Sequence, residues 1–523
     1  MPVRFAVPLR SPASRGRWLR VALLFFFAWL AGRYWHPYYG FTQFLQVDAQ
    51  VETSLVPALR GAPILIYAGD ASYDGAYYAQ IATNPALDPA ILKPAIDDAG
   101  YRARRILLGA VAWVLGGGEP VRVVQVYSGL NVVLWFALAA VLWRVFPVAT
   151  ARGNAAWTAV LFGAGVLFSV RFALTDLAAL LLTAGAVVLA ERGRALPAAG
   201  LVGLAGLTRE TALLGLAALW NRTAEVLRFR GRTVLLLAAA LLPLALWLLY
   251  IQLTLGGSSA GQRNLTWPLA GWLMRWVEFT RGAAATGNPW LVLESVLEHA
   301  ALTVQAVYLL RNPERECPWW RVGAAYLLLF VVLGHAVWGG FPNAASRVLL
   351  PLTLAFNVRA VRAGARWTWL VLGNLSVVAG LHTMLLQPGA PHQLPMPGSW
   401  ETRYSLETDA RWSMAEWHSH YRWAWCAGEG GLKVRTWPPL SEVRLELEMR
   451  GVTPRDLQVL HQGRVVWSGR IGDRPAWITL PVLPVERGQL KLELRSPEGG
   501  ADDGADNTAR TISFACFGAR VAE

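Results

Sequence analysis

The chain has 523 residues, 54% of them hydrophobic and 16% charged, with a mean hydropathy of +0.35. That balance excludes an ordinary soluble enzyme and predicts a polytopic membrane protein. The formal net charge is +14, yet the lysines are Lys93, Lys433 and Lys491 alone, and the arginines fall in short clusters between apolar runs. Such clusters are topology signals, so nucleic acid is not the expected partner.

Residues 1–20 form a basic leader with Arg4, Arg10, Arg15, Arg17 and Arg20, followed by VALLFFFAWLAG. No small-residue cleavage site precedes the bulky Tyr34-Trp35-His36, so the segment reads as a retained first span with its N-terminus inside. A bilayer core needs roughly 20 apolar residues per helix. After the first span (18–35), the candidates are 121–146, 154–171, 173–190, 233–255, 289–310, 321–339, 345–359 and 367–386. The basic loops WRVFPVATARGN, ERGR, NRTAEVLRFRGR, RNPERECPWWR and NVRAVRAGARW all read as cytoplasmic. The run 195–222 is interrupted by Thr208-Arg209-Glu210 and flanked by basic loops on both sides. A hairpin of two short legs satisfies the charge rule, giving about eleven crossings and an outer C-terminus.

Two stretches then share the outer side. The loop 36–120 is too polar in its first half to span; its apolar part, RRILLGAVAWVLGGG (104–118), is short for a span and is expected to lie along the membrane surface. In 395–523 the apolar runs stop, and LKVRTW, EVRLELEM, RVVWSG, WITLPV and QLKLELR alternate with period two between turn residues. The expected architecture is therefore a mainly α membrane bundle over 1–390 and a C-terminal extracytoplasmic antiparallel β-sandwich over 395–523. Cys317 falls in a loop, whereas Cys426 and Cys516 fall in the tail and could pair as a disulfide in an oxidising compartment. The three cysteines fit no metal-binding spacing.

The stretch ASYDGAYYAQIA (71–82) sets Asp74, Tyr78, Ile81 and Ala82 on one helical face. From the residues alone, an interfacial helix capped by Ser72 or Asp74 is an equal reading. Asp48, Glu52, Asp70, Asp88, Asp97 and Asp98 carry no better pattern. No H-E-x-x-H, P-loop or G-x-S-x-G occurs.

With those residues in view, the chain resembles the GT-C-type integral membrane glycosyltransferases, in particular the lipid A aminoarabinose transferases and protein O-mannosyltransferases. Their D-E-x-x-Y-x-x-I-A pattern is matched at Asp74, Tyr78, Ile81 and Ala82, with Gly75 replacing the second acid. RRILLGAVAWVLGGGEP resembles their K-P-P-L surface helix, and Arg171 and Asp176 resemble A-R-x-x-x-x-D. GLAGLTRETALLGL resembles G-L-A-x-L-T-K-G-P, with Arg209 at the lysine and Glu210-Thr211 in place of Gly-Pro. The correspondence covers about the first 220 residues, each motif being weak by itself and their order carrying the likeness.

The resemblance implies transfer of a sugar from a polyprenyl-phosphate donor to an outer glycan, lipid or protein acceptor, with inversion and with Asp74 as general base. Tyr77, Tyr78, Arg102, Arg104, Arg105, Arg171, Asp176, Arg209, Glu210 and Arg347 are the implied substrate-binding residues, the arginines supplying the fixed positive charge that a phosphate leaving group needs; the alternative role of the arginines is to anchor to lipid headgroups or to pair with Asp176 and Glu210. Arg263 and Asn343 could line the same cavity; Arg347 is equally an end anchor, and His335 reads as structural. No cofactor is fixed, and the missing acid at Gly75 leaves a divalent metal open. The expected location is the plasma membrane, multi-pass, with membrane lipids as surroundings. Trp400, Trp412, Trp417, Trp423 and Trp425 suit sugar stacking or, more commonly, a sandwich core. The competing functions are a lipid-linked glycan transporter or flippase, and a non-catalytic cell-envelope assembly protein.

Overall fold

A computed structural model of the chain describes residues 12–523 except 37–38, 49–50, 52–53, 61, 68–71, 221–230, 258–263, 283–288, 341–343, 386–392, 395–403, 410, 414–415, 419–420, 437–438, 503–510 and 523. Arg263, Asn343 and Trp400 thus lie outside the described residues, as do Glu52 and Asp70. The chain divides into two compact units, one comprising Met1–Tyr34, Val56–Leu59 and Tyr77–Gln387, the other Trp35–Leu55, Arg60–Ala76 and Pro388–Glu523.

The first unit is helical, with helices in the apolar runs, although the run 367–386 is divided into the short helices Trp367–Leu372 and Val377–Leu385. The helices include Pro12–Gly32, Pro120–Val145, Asp176–Glu191, Gly231–Thr254, Pro289–Arg311, Pro318–Val332 and Leu350–Arg362. Among the described residues, Pro120–Val145, Ala151–Arg171 and Thr233–Thr254 are long and apolar enough to cross a membrane. Leu235, Leu242, Leu249 and Leu253 of the third leave at least half of their surface exposed, an outward apolar stripe suited to lipid. Arg20 of the first helix is buried instead: Nε donates to Asn154 at 2.8 Å, Nη2 donates to the Phe146 carbonyl at 3.1 Å, and the guanidinium lies 5.2 Å from each of the Trp143 and Trp157 rings. Its charge is therefore hydrogen-bonded and stacked, as a buried arginine requires.

The run 195–222 breaks where the polar triplet predicts. An α-helix, Ala195–Gly206, is followed by a ten-residue 3₁₀ segment, Glu210–Leu219, with Arg209 extended between them. So long a 3₁₀ run is uncommon, and side chains from the helix Pro318–Val332 hold its carbonyls. Arg321 donates to Ala217 and Ala218 at 3.0 and 2.7 Å, and Tyr326 donates to Thr211 at 3.0 Å. The stretch predicted to lie on the membrane surface contains one short helix, Leu107–Leu115.

The second unit is a two-sheet antiparallel sandwich joined by part of the early loop. The loop supplies β1 (Val47–Asp48) and β2 (Ile66–Tyr67), paired in parallel. The C-terminal region supplies β3 (Gln393–Leu394), β4 (Tyr404–Thr408), β5 (Glu416–His418), β6 (Tyr421–Cys426), β7 (Glu429–Thr436), β8 (Glu442–Gly451), β9 (Arg455–His461), β10 (Arg464–Ile471), β11 (Ala476–Pro484), β12 (Gln489–Arg495), β13 (Ala501–Asp502), β14 (Thr511–Ile512) and β15 (Phe514–Val521). One sheet runs β10-β9-β12-β7-β4-β3 and the other β11-β8-β15-β6-β5. Alternation turns Leu432, Val434, Leu490 and Leu492 of the first sheet toward Val443, Leu445, Leu447 and Met449 of the second, forming one core. Trp412 belongs to that core, and Trp423 stacks on Phe517 at 5.4 Å, so these rings pack rather than present a sugar platform.

The loop is fastened to the sheet by a buried polar cluster. Tyr39 donates to Glu407 at 2.5 Å and shares a hydrogen bond with Ser405, while Arg435 donates to Glu407 at 3.1 Å and to the Ala62 carbonyl at 3.3 Å. The expected Cys426–Cys516 disulfide is corrected here, since both are buried free thiols. They lie on neighbouring strands β6 and β15, but the register pairs Cys426 with Phe514 and Cys516 with Ala424, an offset of two residues. Across such a diagonal the side chains stand farther apart than a bond between directly opposed positions allows.

Candidate functional site

Asp74 is the first residue of the helix Asp74–Thr83, whose start favours an anionic side chain. It is partly buried, and one turn later Tyr78 is buried with Ile81 and Ala82, as the spacing predicts. The helix Leu107–Leu115 packs on this one through Gly109, where an added Cβ would lie 3.3 Å from Ala82. That close approach puts the residues before Leu107 beside Tyr78.

There Arg105 acts as a hub within the first unit. One guanidinium nitrogen donates to the Tyr78 hydroxyl, the other donates to the Tyr101 hydroxyl at 3.2 Å, and Nε stands 3.7 Å from Glu210. Leu107 N donates to the Leu207 carbonyl at 3.2 Å, tying this stretch to the turn that carries Arg209 and Glu210. Tyr101 collects further contacts, with Arg104 at 5.4 Å from its ring and Asn264 donating to its hydroxyl at 3.4 Å.

Asp176 is a second anchor. It begins the helix Asp176–Glu191 and is buried. Arg209 pairs with one carboxylate oxygen and Arg347 stands 3.6 Å from the other. The turn leading to it is clamped from Pro120–Val145, where Asn131 donates to the Ser169 and Leu174 carbonyls at 2.7 Å each and Tyr127 donates to the Ala173 carbonyl at 3.1 Å. Ala173 itself has a φ of 47°, a left-handed conformation that this clamp maintains. Arg347 arrives on the short helix Ala344–Val348, which passes so close to Gly165 that a Cβ there would fall 2.5 Å from the Ser346 carbonyl oxygen.

Arg105, Arg209 and Arg347 face the carboxylates of Asp176 and Glu210, three positive charges against two negative. Three guanidinium groups thus converge in a largely buried setting, a donor set of the kind that suits a phosphate oxyanion.

Not every expected residue joins this group. Arg102 makes a two-pronged pair with Asp97, at 3.1 and 2.8 Å, and lies 5.1 Å from the Tyr77 ring. Burial works to raise the Asp97 carboxyl, but the hydrogen bonds and charge of Arg102 hold it below its usual value. Arg171 lies over the rings of Tyr34 and Phe172, at 5.0 and 5.1 Å. His335 pairs with Glu278 at 3.2 Å.

Sequence reasoning missed three groups. Tyr101 was legible in YRARR as an aromatic among three arginines. Glu294 and His382 form a pair between Pro289–Arg311 and Val377–Leu385, and an acid inside a predicted span was a usable signal for it. Buried Glu298 lies one turn beyond Glu294 on the same helix. Among the described residues no group of three or more His, Cys, Asp or Glu could hold a metal ion.

No protein-family model matches the chain, and no curated protein matches it. Among solved structures, the chain is similar to the arabinosyltransferase EmbB from Mycobacterium smegmatis, at 11% identity and a TM-score of 0.32. The match covers 91% of this chain and 64% of that one, so the chain spans less than two thirds of that protein's length.

Proposed function

We propose that the chain is a GT-C-type membrane glycosyltransferase that moves a sugar from a polyprenyl-phosphate donor to an outer acceptor. In this reading about eleven segments cross the plasma membrane, with the N-terminus inside and the sandwich outside. The observation that supports the proposal is the convergence of Arg105, Arg209 and Arg347 on the carboxylates of Asp176 and Glu210, Arg105 and Arg209 coming from motifs that occur in the family's order.

The chemistry follows from the residue types. Asp74 takes the proton of the acceptor hydroxyl, whose oxygen attacks the anomeric carbon from the face opposite the phosphate. The bond from that carbon to the donor's phosphate oxygen breaks, its electron pair stays with the phosphate, and the arginines stabilise the charge that develops there. Tyr77, Tyr78 and Tyr101 border the sugar, and Asp176 and Glu210 position the arginines. The test is transfer from a panel of radiolabelled polyprenyl-phosphate sugars in reconstituted membranes, wild type against Asp74→Asn. Turnover by the wild type and its loss in a folded variant supports the proposal. A transporter would still move lipid-linked sugar with Asn at position 74, and that result would replace it.

A further inference from the structure

The outer face of the first sheet in the second unit carries a cavity of about 440 Å³, roofed on one side by Ile66 of β2 and floored by β7 and β12. Its volume falls in the range of small-ligand sites, roughly 300–1,000 Å³. Two of the chain's three lysines line it. Lys433 on β7 and Lys491 on β12 are direct cross-strand partners. Like charges placed opposite each other on neighbouring strands destabilise a sheet, and this chain uses arginine at nearly every other cationic position.

The two lysines, with Arg411 also in the lining, differ in their neighbours. Lys433 stands 3.6 Å from Glu407, but Glu407 also receives Arg435 and Tyr39. The side chain of Lys491 is exposed and makes no ion pair among the described residues. Next along the same face, Gly431 opposes Glu493, and the Asp409 carboxylate fills the space above it, where an added Cβ would meet the carboxylate oxygen at 2.7 Å.

The lining therefore has two chemistries. The lysine pair attracts an anion, whereas Asp409, paired with Arg411 at 2.7 Å, and Glu493, 3.9 Å from the same guanidinium, offer only accepting oxygens. A ligand satisfying both must bring one acid group and several hydroxyl donors. We propose that this cavity binds an acidic sugar, its carboxylate or phosphate ester held between Lys433 and Lys491 and its hydroxyls donating to Asp409 and Glu493. The site stands apart from the transferase reading, because it rests only on the sheet and its charges.

The test is a ligand-observed NMR titration of the full-length protein in detergent with glucuronate, glucose 6-phosphate, glucose and inorganic phosphate. At least one sugar acid is expected to bind saturably and more tightly than glucose or inorganic phosphate. The arm that binds, carboxylate or phosphate ester, identifies the acid group. Lys491→Gln is expected to weaken that binding about tenfold, the size of one lost charge-assisted hydrogen bond, at an unchanged melting temperature. Glu493→Gln is expected to weaken the sugar acid and leave inorganic phosphate unaffected. Absence of binding, equal binding of glucose, equal binding of inorganic phosphate, or an unaltered Lys491→Gln variant overturns the proposal. Binding is read without turnover, so its failure and that of the transferase reading are separate results.

Discussion

Arg347 stands 3.6 Å from the same buried Asp176 carboxylate whose other oxygen holds Arg209. One carboxylate thus fixes two guanidinium groups from distant parts of the chain, and removing it takes a buried counter-charge from both.

Asp176→Asn is therefore expected to destabilise the protein by about 3–5 kcal/mol, the cost of breaking a buried ion pair from one side. Arg347→Met should cost less, because Asp176 keeps Arg209. Thermal unfolding of the purified protein in detergent measures both; equal losses would show that Arg209 alone does not satisfy the carboxylate.

Arg105→Lys keeps the charge and loses the planar fork that reaches Tyr78, Tyr101 and Glu210 together. An ammonium cannot serve the three at once. The expected result is a rise in KM for the lipid-phosphate donor of about tenfold, one charged hydrogen bond's worth, with little change in melting temperature. A variant with wild-type KM would remove Arg105 from the donor site.

In the second unit, burial works to raise the Glu407 carboxyl, but the charges of Arg435 and Lys433, with hydrogen bonds from Tyr39 and Arg435, hold it below the usual 4.5. A depressed carboxyl contributes stability that is complete above the unfolded value and is lost as pH falls through the folded one. Acid destabilisation from this group should therefore develop below about pH 4.5. Glu407→Gln is expected to cost about 3–5 kcal/mol at neutral pH and to flatten that acid limb. Unfolding curves from pH 7 to pH 3 decide it, and an unchanged acid limb would assign the sensitivity elsewhere.

Burial raises the Cys426 thiol to about 11 and the Cys516 thiol to about 12. Both should resist alkylation in the native protein and react promptly in denaturant without reductant. Failure to react after unfolding, reversed by reductant, would reinstate the bond between them.

Much of the architecture is legible because burial imposes a local period. The apolar runs mark the helices, the Thr208-Arg209-Glu210 interruption marks the change to 3₁₀ geometry, and alternation in LKVRTW and QLKLELR marks β7 and β12. What is not legible depends on contacts with no local pattern. Tyr39 binds Glu407 across several hundred residues, so the stretches 35–55 and 60–76 group with the sandwich although the sequence reads as one outer loop from 36 to 120. The Cys426–Cys516 offset follows from strand register, which depends on how β6 and β15 pair rather than on where cysteines occur. Likewise, the motifs name Arg105, Arg171 and Arg209 alike, and only packing shows that Arg171 lies over the Tyr34 ring while Arg209 pairs with Asp176.

The most direct measurement is single-turnover sugar transfer in reconstituted membranes by wild type and Asp74→Asn, with the melting temperature of each recorded alongside. The expected result is release of polyprenyl phosphate by the wild type and a loss of at least about a hundredfold in the variant, the usual contribution of a general base, at equal stability. Equal rates in the two proteins would contradict the assignment of Asp74 as the base.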